Sequence, residues 1–440
     1  MKVNWFSPLP PAKTEIANHT ARLLPVLAAR AEVTLWTDQP QWEPALERCA
    51  VVRRYQPQVM SWPELNRGQA SFFNIGNNVH FHSSIWEVAR RHPGVVILHD
   101  QCLQHFFSGL YLAQRQDRDG YIAQMVRYYG REGRRAANEF LGGRLSIDHL
   151  CAAYPLTLLA LENALGVLVH TRPSLEAVQQ QGLPVTCCPL PYAATSFRHG
   201  GQSLAAEESA ARSGPPYQLI VFGHIGSNRR LDALLQALAQ LADRDAFRLD
   251  VYGKLHDPEH FRARVRELSL STLVTLHGFV PDEALEKALR TAHLAVNLRF
   301  PTMGEASASQ LRIWDYALPS LVTQVGWYAG LPEDAVVFVR PDREIPDIHG
   351  HLRSFLDDPA RFRNMGRCGR RYLEQHHTPE AYVETIVHFT RTVRGLRNAA
   401  LTSLLIERTG AEMSAWTDPS GPKEIFRQPA SQIAMLALQN

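Results

Sequence analysis

Glu305 is the single acid in a run of small residues, Gly304-Glu305-Ala306-Ser307-Ala308-Ser309. An apolar run ends just before it, a helical pattern follows and stops at Pro319, and a second apolar run comes next. Ala295 to Gly326 thus reads as strand, loop, helix, strand. Such a loop holds backbone N–H groups and hydroxyls at a helix N-terminus, where the macrodipole favours an anion. Arg229 and Arg230 carry related chemistry. They lie between a strand ending at Gly223 and an amphipathic helix from Leu231. Paired cations beside a helix start suit a diphosphate, although an exposed basic helix start has the same pattern. In His277-Gly278-Phe279-Val280-Pro281-Asp282 the turn permits close backbone approach, and Asp282 suits an N-cap. A flat base fits against that turn; a plain strand-to-helix connection fits it too.

Other candidates lie in the first half. His99-Asp100 closes the apolar run Gly94–Leu98, as either a reacting pair or a satisfied hydrogen-bonded one. His80 and His82 have no third ligand nearby, so a metal site is not expected. Arg127, Tyr128, Tyr129, Arg131, Arg134 and Arg135 interleave cations and rings on a helical stretch. They form either a solvated face or a contact for a polyanionic or lipid-linked acceptor.

The elements that must position these residues alternate. Strands are expected at Val3–Phe6, Glu32–Thr37, Phe72–Ile75, Gly94–Leu98 and Gly166–His170, with helices from Thr14, at Ser84–Arg91 and at Pro173–Gln181. Residues 101–164 read as mostly helical. The stretch 196–216, rich in Gly, Ser, Ala and charge, reads as a linker. A second alternation has strands at Gln218–Gly223, Arg248–Gly253, Leu273–Leu276, Leu294–Leu298, Pro319–Thr323 and Ala335–Val339. Helices up to Arg394 close it, and the chain after Ala399 is weakly patterned. The expected organisation is therefore an α/β N-terminal domain over 1–195, the linker, an α/β domain over 217–378, and a helix and tail over 379–440 that packs back on the first domain. Open parallel sheets bind ligands at the carboxyl ends of their strands, where the candidates lie.

Bulk properties agree with a multidomain globular protein. The chain has 440 residues, 45% of them hydrophobic and 20% charged. A net charge of +3 carries no nucleic-acid signal. Six scattered cysteines form no CxxC pair and read as thiols in a reducing compartment. Prolines interrupt the N-terminus before an h-region, and no apolar run is long enough to span a bilayer. A cytoplasmic location is expected, with peripheral contact at the inner membrane face compatible.

The order F-G-H-I-x3-R-R-L, V-Y-G, L-H-G-F-V-P-D-E-A-L, N-L-R-F-P-T-M-G-E-A-S-A-S, V-G-W-Y-A-G-L-P resembles the family 4 glycosyltransferases. F-S-P-L-P-P-A-K-T-E-I-A-N-H-T, I-G-N-N-V-H-F-H and V-V-I-L-H-D-Q-C-L resemble segments of their N-terminal domains. The resemblance covers roughly residues 1–395. It implies a GT-B architecture, two Rossmann-like doubly wound domains facing an interdomain cleft. It also implies retaining, metal-independent sugar transfer from a nucleotide-sugar donor to a glycan or lipid-linked acceptor, with no cofactor. Glu305 and His99 would be catalytic. His224, Arg229, Arg230, Phe279, Val280, Gly304, Ser307, Ser309 and Arg312 would contact the donor. Thr14, Glu15, Asn77, His82 and Asp100 would lie on the acceptor side.

Two departures stand out. The second acid of the family's Glu-x7-Glu motif is replaced by Ile313, preceded by Arg312, and Asp315 comes two residues too late. Glu15 stands where many relatives have glycine. These features suit altered donor contacts. They also suit a binding protein that has lost catalysis, and a nucleotide-sugar epimerase is a further reading on the same fold.

Overall fold

The computed structural model describes residues 1–192 and 214–416. The linker expected over 196–216 lies outside the described residues except for its last three, as does the chain beyond Trp416. The chain divides into two units, one holding Met1–Cys188 and the chain from Glu380 on, the other Pro189–Pro379.

In the first unit, strands β1 (Lys2–Phe6), β2 (Glu32–Thr37), β3 (Val51–Arg54), β4 (Ala70–Ile75), β5 (Gly94–Leu98), β6 (Ala164–Val169) and β7 (Val185–Cys187) form one parallel sheet. Its order is β3-β2-β1-β4-β5-β6-β7, so the direction of winding reverses between β1 and β4. Alternate side chains feed two cores. Phe6, Phe73, Val96 and Val167 face one, while Trp5, Phe72, Ile97 and Leu168 face the other. Burying each large ring stabilises the fold by roughly 1.5–3 kcal/mol. The second core also takes Tyr382, Ile386, Phe389 and Val393 from helix Pro379–Arg394.

In the second unit, β8 (Tyr217–Phe222), β9 (Phe247–Tyr252), β10 (Val274–Gly278), β11 (Leu294–Asn297), β12 (Ser320–Thr323) and β13 (Val337–Val339) are parallel in the order β10-β9-β8-β11-β12-β13. Leu219, Val221, Leu249 and Val251 face one core, and Ile220, Phe222 and Ala295 the other. The reversal here falls between β8 and β11. Both sheets are doubly wound, as the alternation of strands and helices implies.

Three elements differ from the sequence expectation. Edge strands β3 and β7 carry no clear pattern because β3 is largely exposed, with Val51 49% accessible, and β7 is short and only partly buried. The weakly patterned chain after Ala399 belongs to helix Arg397–Trp416. Among the described residues no helix is long and apolar enough to cross a membrane.

Candidate functional site

The loops after β8 and β11 meet at the reversal point of the second sheet. Gly223 and Gly253 end neighbouring strands with φ of 113° and 122°. A Cβ at Gly253 would lie 1.8 Å from the Gly223 carbonyl oxygen, so only glycine allows these backbones to touch. The β8 loop then places Arg229 inward, where it is 6% exposed. Its guanidinium donates to Asn297 Oδ1 at 2.6 Å, to the Phe222 carbonyl at 3.3 Å, to the His224 carbonyl at 3.4 Å and to Ser309 Oγ at 3.4 Å. No carboxylate forms an ion pair with it among the described residues. Burial, followed by repulsion from Arg299, lowers its pKa to about 9. A buried cation held by neutral acceptors keeps a positive charge that an anion would neutralise.

Asn297 and Gln310 brace this arrangement. Asn297 donates to Ser307 Oγ at 3.4 Å and to Gln310 Oε1 at 3.0 Å, and Gln310 donates to Ser320 Oγ at 2.8 Å. Both are buried polar side chains, satisfied as burial requires. Ser307 caps helix Ala308–Asp315 by accepting the Gln310 N–H at 3.2 Å. Arg229, Asn297, Ser307 and Ser309 therefore converge on the start of that helix, where the dipole is positive.

Glu305 lies in the same loop. Its Oε2 accepts from Thr302 Oγ1 at 3.0 Å and from the Met303 N–H at 2.7 Å, while Oε1 lies 3.2 Å from Arg299 Nε. Gly304, at φ 80°, closes the turn and donates its N–H to Thr302 Oγ1 at 3.1 Å. His224 is exposed at the mouth of the β8 loop, its pKa lowered by burial and then by Lys254. Phe279 is 68% exposed after β10, with Val280 beside it. An exposed ring of that size suits stacking on a flat group.

Two donor-side expectations need correction. Arg230 does not pair with Arg229. It adopts the left-handed conformation, φ 55°, which turns its side chain away to a forked ion pair with Glu344, Nη2 to Oε2 being 2.6 Å. Arg312 points to helix Asp282–Thr291, with Asp282 at 3.2 Å and Glu286 at 4.0 Å. Ile313, in the position of the missing acid, is 1% exposed in the core. Sequence reasoning missed Asn297, Arg299 and Gln310. The Asn-x-Arg spacing at the end of β11 was the available signal, since it places both side chains on one side of the strand.

In the first unit, the strand ends gather most of the expected acceptor-side residues. His99 Nε2 lies 2.9 Å from Asn74 Oδ1, and Asn74 donates its amide to the Phe6 carbonyl at 2.9 Å. That second bond fixes the amide orientation, so His99 carries its proton on Nε2. His82 Nδ1 bonds the Asn74 carbonyl at 3.0 Å. Asp100 accepts the Asn77 N–H at 2.7 Å, and Asn77 Oδ1 accepts the Phe106 N–H at 2.9 Å. Thr14 caps helix Glu15–Ala28, and a Cβ at Gly76 would meet Ile16 at 2.9 Å and Asp100 at 3.1 Å. Glu15 is exposed. His19, His170 and Tyr382 complete the group without any sequence signal. The His99 ring lies 5.1 Å from that of His170 and 5.5 Å from that of His19.

The basic and aromatic stretch divides. Arg127 pairs with Glu162 at 2.7 Å and Arg135 with Glu132 at 2.6 Å. Tyr128 donates to Glu162, and Tyr129 accepts the Leu156 N–H. Both rings are thus tied inward, and the exposed part of the stretch holds Arg127, Arg131, Arg134 and Arg135 with the acid Glu132 among them.

The buried histidines make the first unit acid-sensitive. Burial lowers His82 and His92 to about 4, and His19 and His99 also lie well below their ordinary value through burial and then a neighbouring histidine. Each therefore binds a proton more weakly folded than unfolded. The unfolded chain takes up more protons as pH falls below about 6.5, and stability declines from there toward about 4, by about 1.4 kcal/mol per pH unit per group. Melting followed at pH 7, 6 and 5 is expected to show a falling midpoint, with a shallower slope in His82→Gln.

Residues 205–372 match the family model described as glycosyl transferases group 1. No curated protein sequence matches the chain. Among solved structures the chain is similar to WaaG, a glycosyltransferase involved in lipopolysaccharide biosynthesis, at 16% identity and TM-score 0.57, covering 88% of this chain and 99% of that one. Anabaena HepE in complex with UDP and glucose aligns at 13% identity and TM-score 0.58 over 88% and 99%. Sucrose-phosphate synthase from Thermosynechococcus elongatus aligns at 16% and 0.55 over 89% and 99%. The chain thus has the fold of the GT-B glycosyltransferases, and its residues 205–372 match the glycosyl transferases of group 1.

Proposed function

We propose that this protein is a retaining glycosyltransferase of family 4 that moves a hexose from a nucleoside-diphosphate sugar to a hydroxyl of a glycan or lipid-linked acceptor in the cytoplasm. The observation that carries the donor assignment is Arg229. It is a buried guanidinium without a carboxylate partner among the described residues, set beside a helix start at the reversal point of the donor sheet. The family match over 205–372 and the UDP held by Anabaena HepE support the same reading.

The chemistry follows from charge. The bond between the anomeric carbon and the β-phosphate oxygen breaks, and its electron pair stays on the leaving diphosphate. Arg229 and the helix N-terminus stabilise that charge without reorganising. The acceptor oxygen forms the new bond on the same face, and its proton passes to the departing phosphate oxygen. In this reading Arg229 and the helix N-terminus take the place of a metal ion in offsetting the diphosphate charge. His99, Asn77, Asp100 and His82 are assigned to the acceptor side, with Thr14 and Glu15 at the adjoining helix start. Phe279 and Val280 are assigned to the base.

Calorimetric titration with UDP and GDP tests the donor assignment, and absence of binding by both defeats it. Product anomers read by NMR test retention. A second reading, donor binding without catalysis, draws on Ile313, whose burial leaves no acid at the second motif position to hold ribose hydroxyls. Nucleotide binding without sugar release across acceptors would favour it.

A further inference from the structure

We propose that Arg299 is a second guanidinium for the donor diphosphate, aimed by Glu305 and acting beside Arg229. This rests on the donor-site reading above. Asn297 and Arg299 are two residues apart at the end of β11, with the fully buried Leu298 turned to the core between them. The two side chains therefore share one side of the strand, and Asn297 is the residue that holds Arg229 at 2.6 Å. The backbone anchors Arg299 in that place. Its N–H donates to Thr323 Oγ1 at 3.0 Å, and the next N–H, of Phe300, donates to the Asn228 carbonyl in the Arg229 loop at 2.8 Å.

Glu305 explains the aim. Its Oε2 is engaged by Thr302 and Met303, and its Oε1 faces the Nε edge of Arg299 at 3.2 Å. The contact is an ion pair and not an aligned hydrogen bond, so the carboxylate holds the guanidinium by charge while Thr302 and Met303 hold the carboxylate, which makes Glu305 a positioning residue toward the phosphates. The Ile225 N–H donates to the Lys254 carbonyl at 2.9 Å, which brings Lys254 beside the β8 loop as well. Arg229 and Arg299 then lie close enough to repel each other, Arg299 is paired with Glu305, and Lys254 acts on His224 in the same loop. The remaining positive charge matches a diphosphate better than a monophosphate.

The test compares a nucleoside diphosphate with its own monophosphate. The full-length protein is titrated calorimetrically with UDP, GDP and ADP, and the tightest is taken forward with its monophosphate. Arg299→Met is expected to weaken the diphosphate by about tenfold or more, the scale of one charge-assisted bond, while the monophosphate changes by less than about twofold. Arg299→Lys restores most of the loss. Arg299→Gln, which keeps a polar group beside Glu305, gives the same split should the methionine variant fold poorly. Equal weakening of both nucleotides would show that Arg299 only props the loop, and unchanged diphosphate affinity would show no contact; either result overturns the assignment alone. Failure of the unmodified protein to bind any of the three overturns the donor reading with it.

Discussion

Arg229→Met is expected to weaken nucleoside-diphosphate binding by about 100-fold or more, equivalent to about 3 kcal/mol, because two charge-assisted bonds made in a dry site are lost. The side chain is 6% exposed, so water does not substitute for it readily. The fold should tolerate the change. Methionine removes a desolvated charge from a place where burial, and then repulsion from Arg299, already lowers the pKa to about 9. The cost is an Asn297 Oδ1 without its 2.6 Å donor, and a melting midpoint within a few degrees of the parent is expected. Arg229→Lys keeps the charge but cannot span Asn297, Ser309 and the Phe222 carbonyl together, and should fall between. Parent-like affinity for UDP and GDP in the methionine variant would remove Arg229 from the donor site.

Glu305→Ala should separate turnover from affinity. The carboxylate ties Thr302 and Met303 into the loop and faces Arg299 at 3.2 Å. Without it the loop loses its shape, and a displacement of about 1 Å at the reacting centre is enough to lower turnover by about 100-fold. Diphosphate affinity should stay within a few-fold, because two effects oppose. Arg299 loses its ion-pair partner, yet the site also loses a negative charge. Glu305→Gln can still accept from Thr302 and Met303 and should retain part of the activity. Full turnover by the alanine variant on its true acceptor, measured by product formation at saturating donor, would end this role for Glu305.

Much of the fold was legible because local patterns reflect burial directly. Gly94–Leu98 is apolar at every position since the sheet covers it on both faces, and its bounds were read without error. The helix Ala308–Asp315 was readable from the small residues before it and the proline after it. Edge strands β3 and β7 escaped because neither buries a full face, so no apolar alternation marks them.

The site was legible only in part. The position of Glu305 and Arg229 just after strands follows from chain order, and the sequence by itself determined that both lie at carboxyl ends of parallel strands. It likewise determined two doubly wound α/β domains, since alternating strands and helices allow few other windings, while the GT-B class was implied by the resemblance of its motifs. Partner choice was decided by tertiary structure alone. Arg229 and Arg230 are neighbours in the chain, yet one turns inward to Asn297 and the other out to Glu344, 114 residues away. A single left-handed backbone angle at Arg230 sends them apart. Arg312 turns to acids on another helix, and Arg299 becomes a site residue through the 3.2 Å approach of Glu305. A charged side chain settles where desolvation is least costly and a partner is within reach, and that depends on packing between segments remote in sequence.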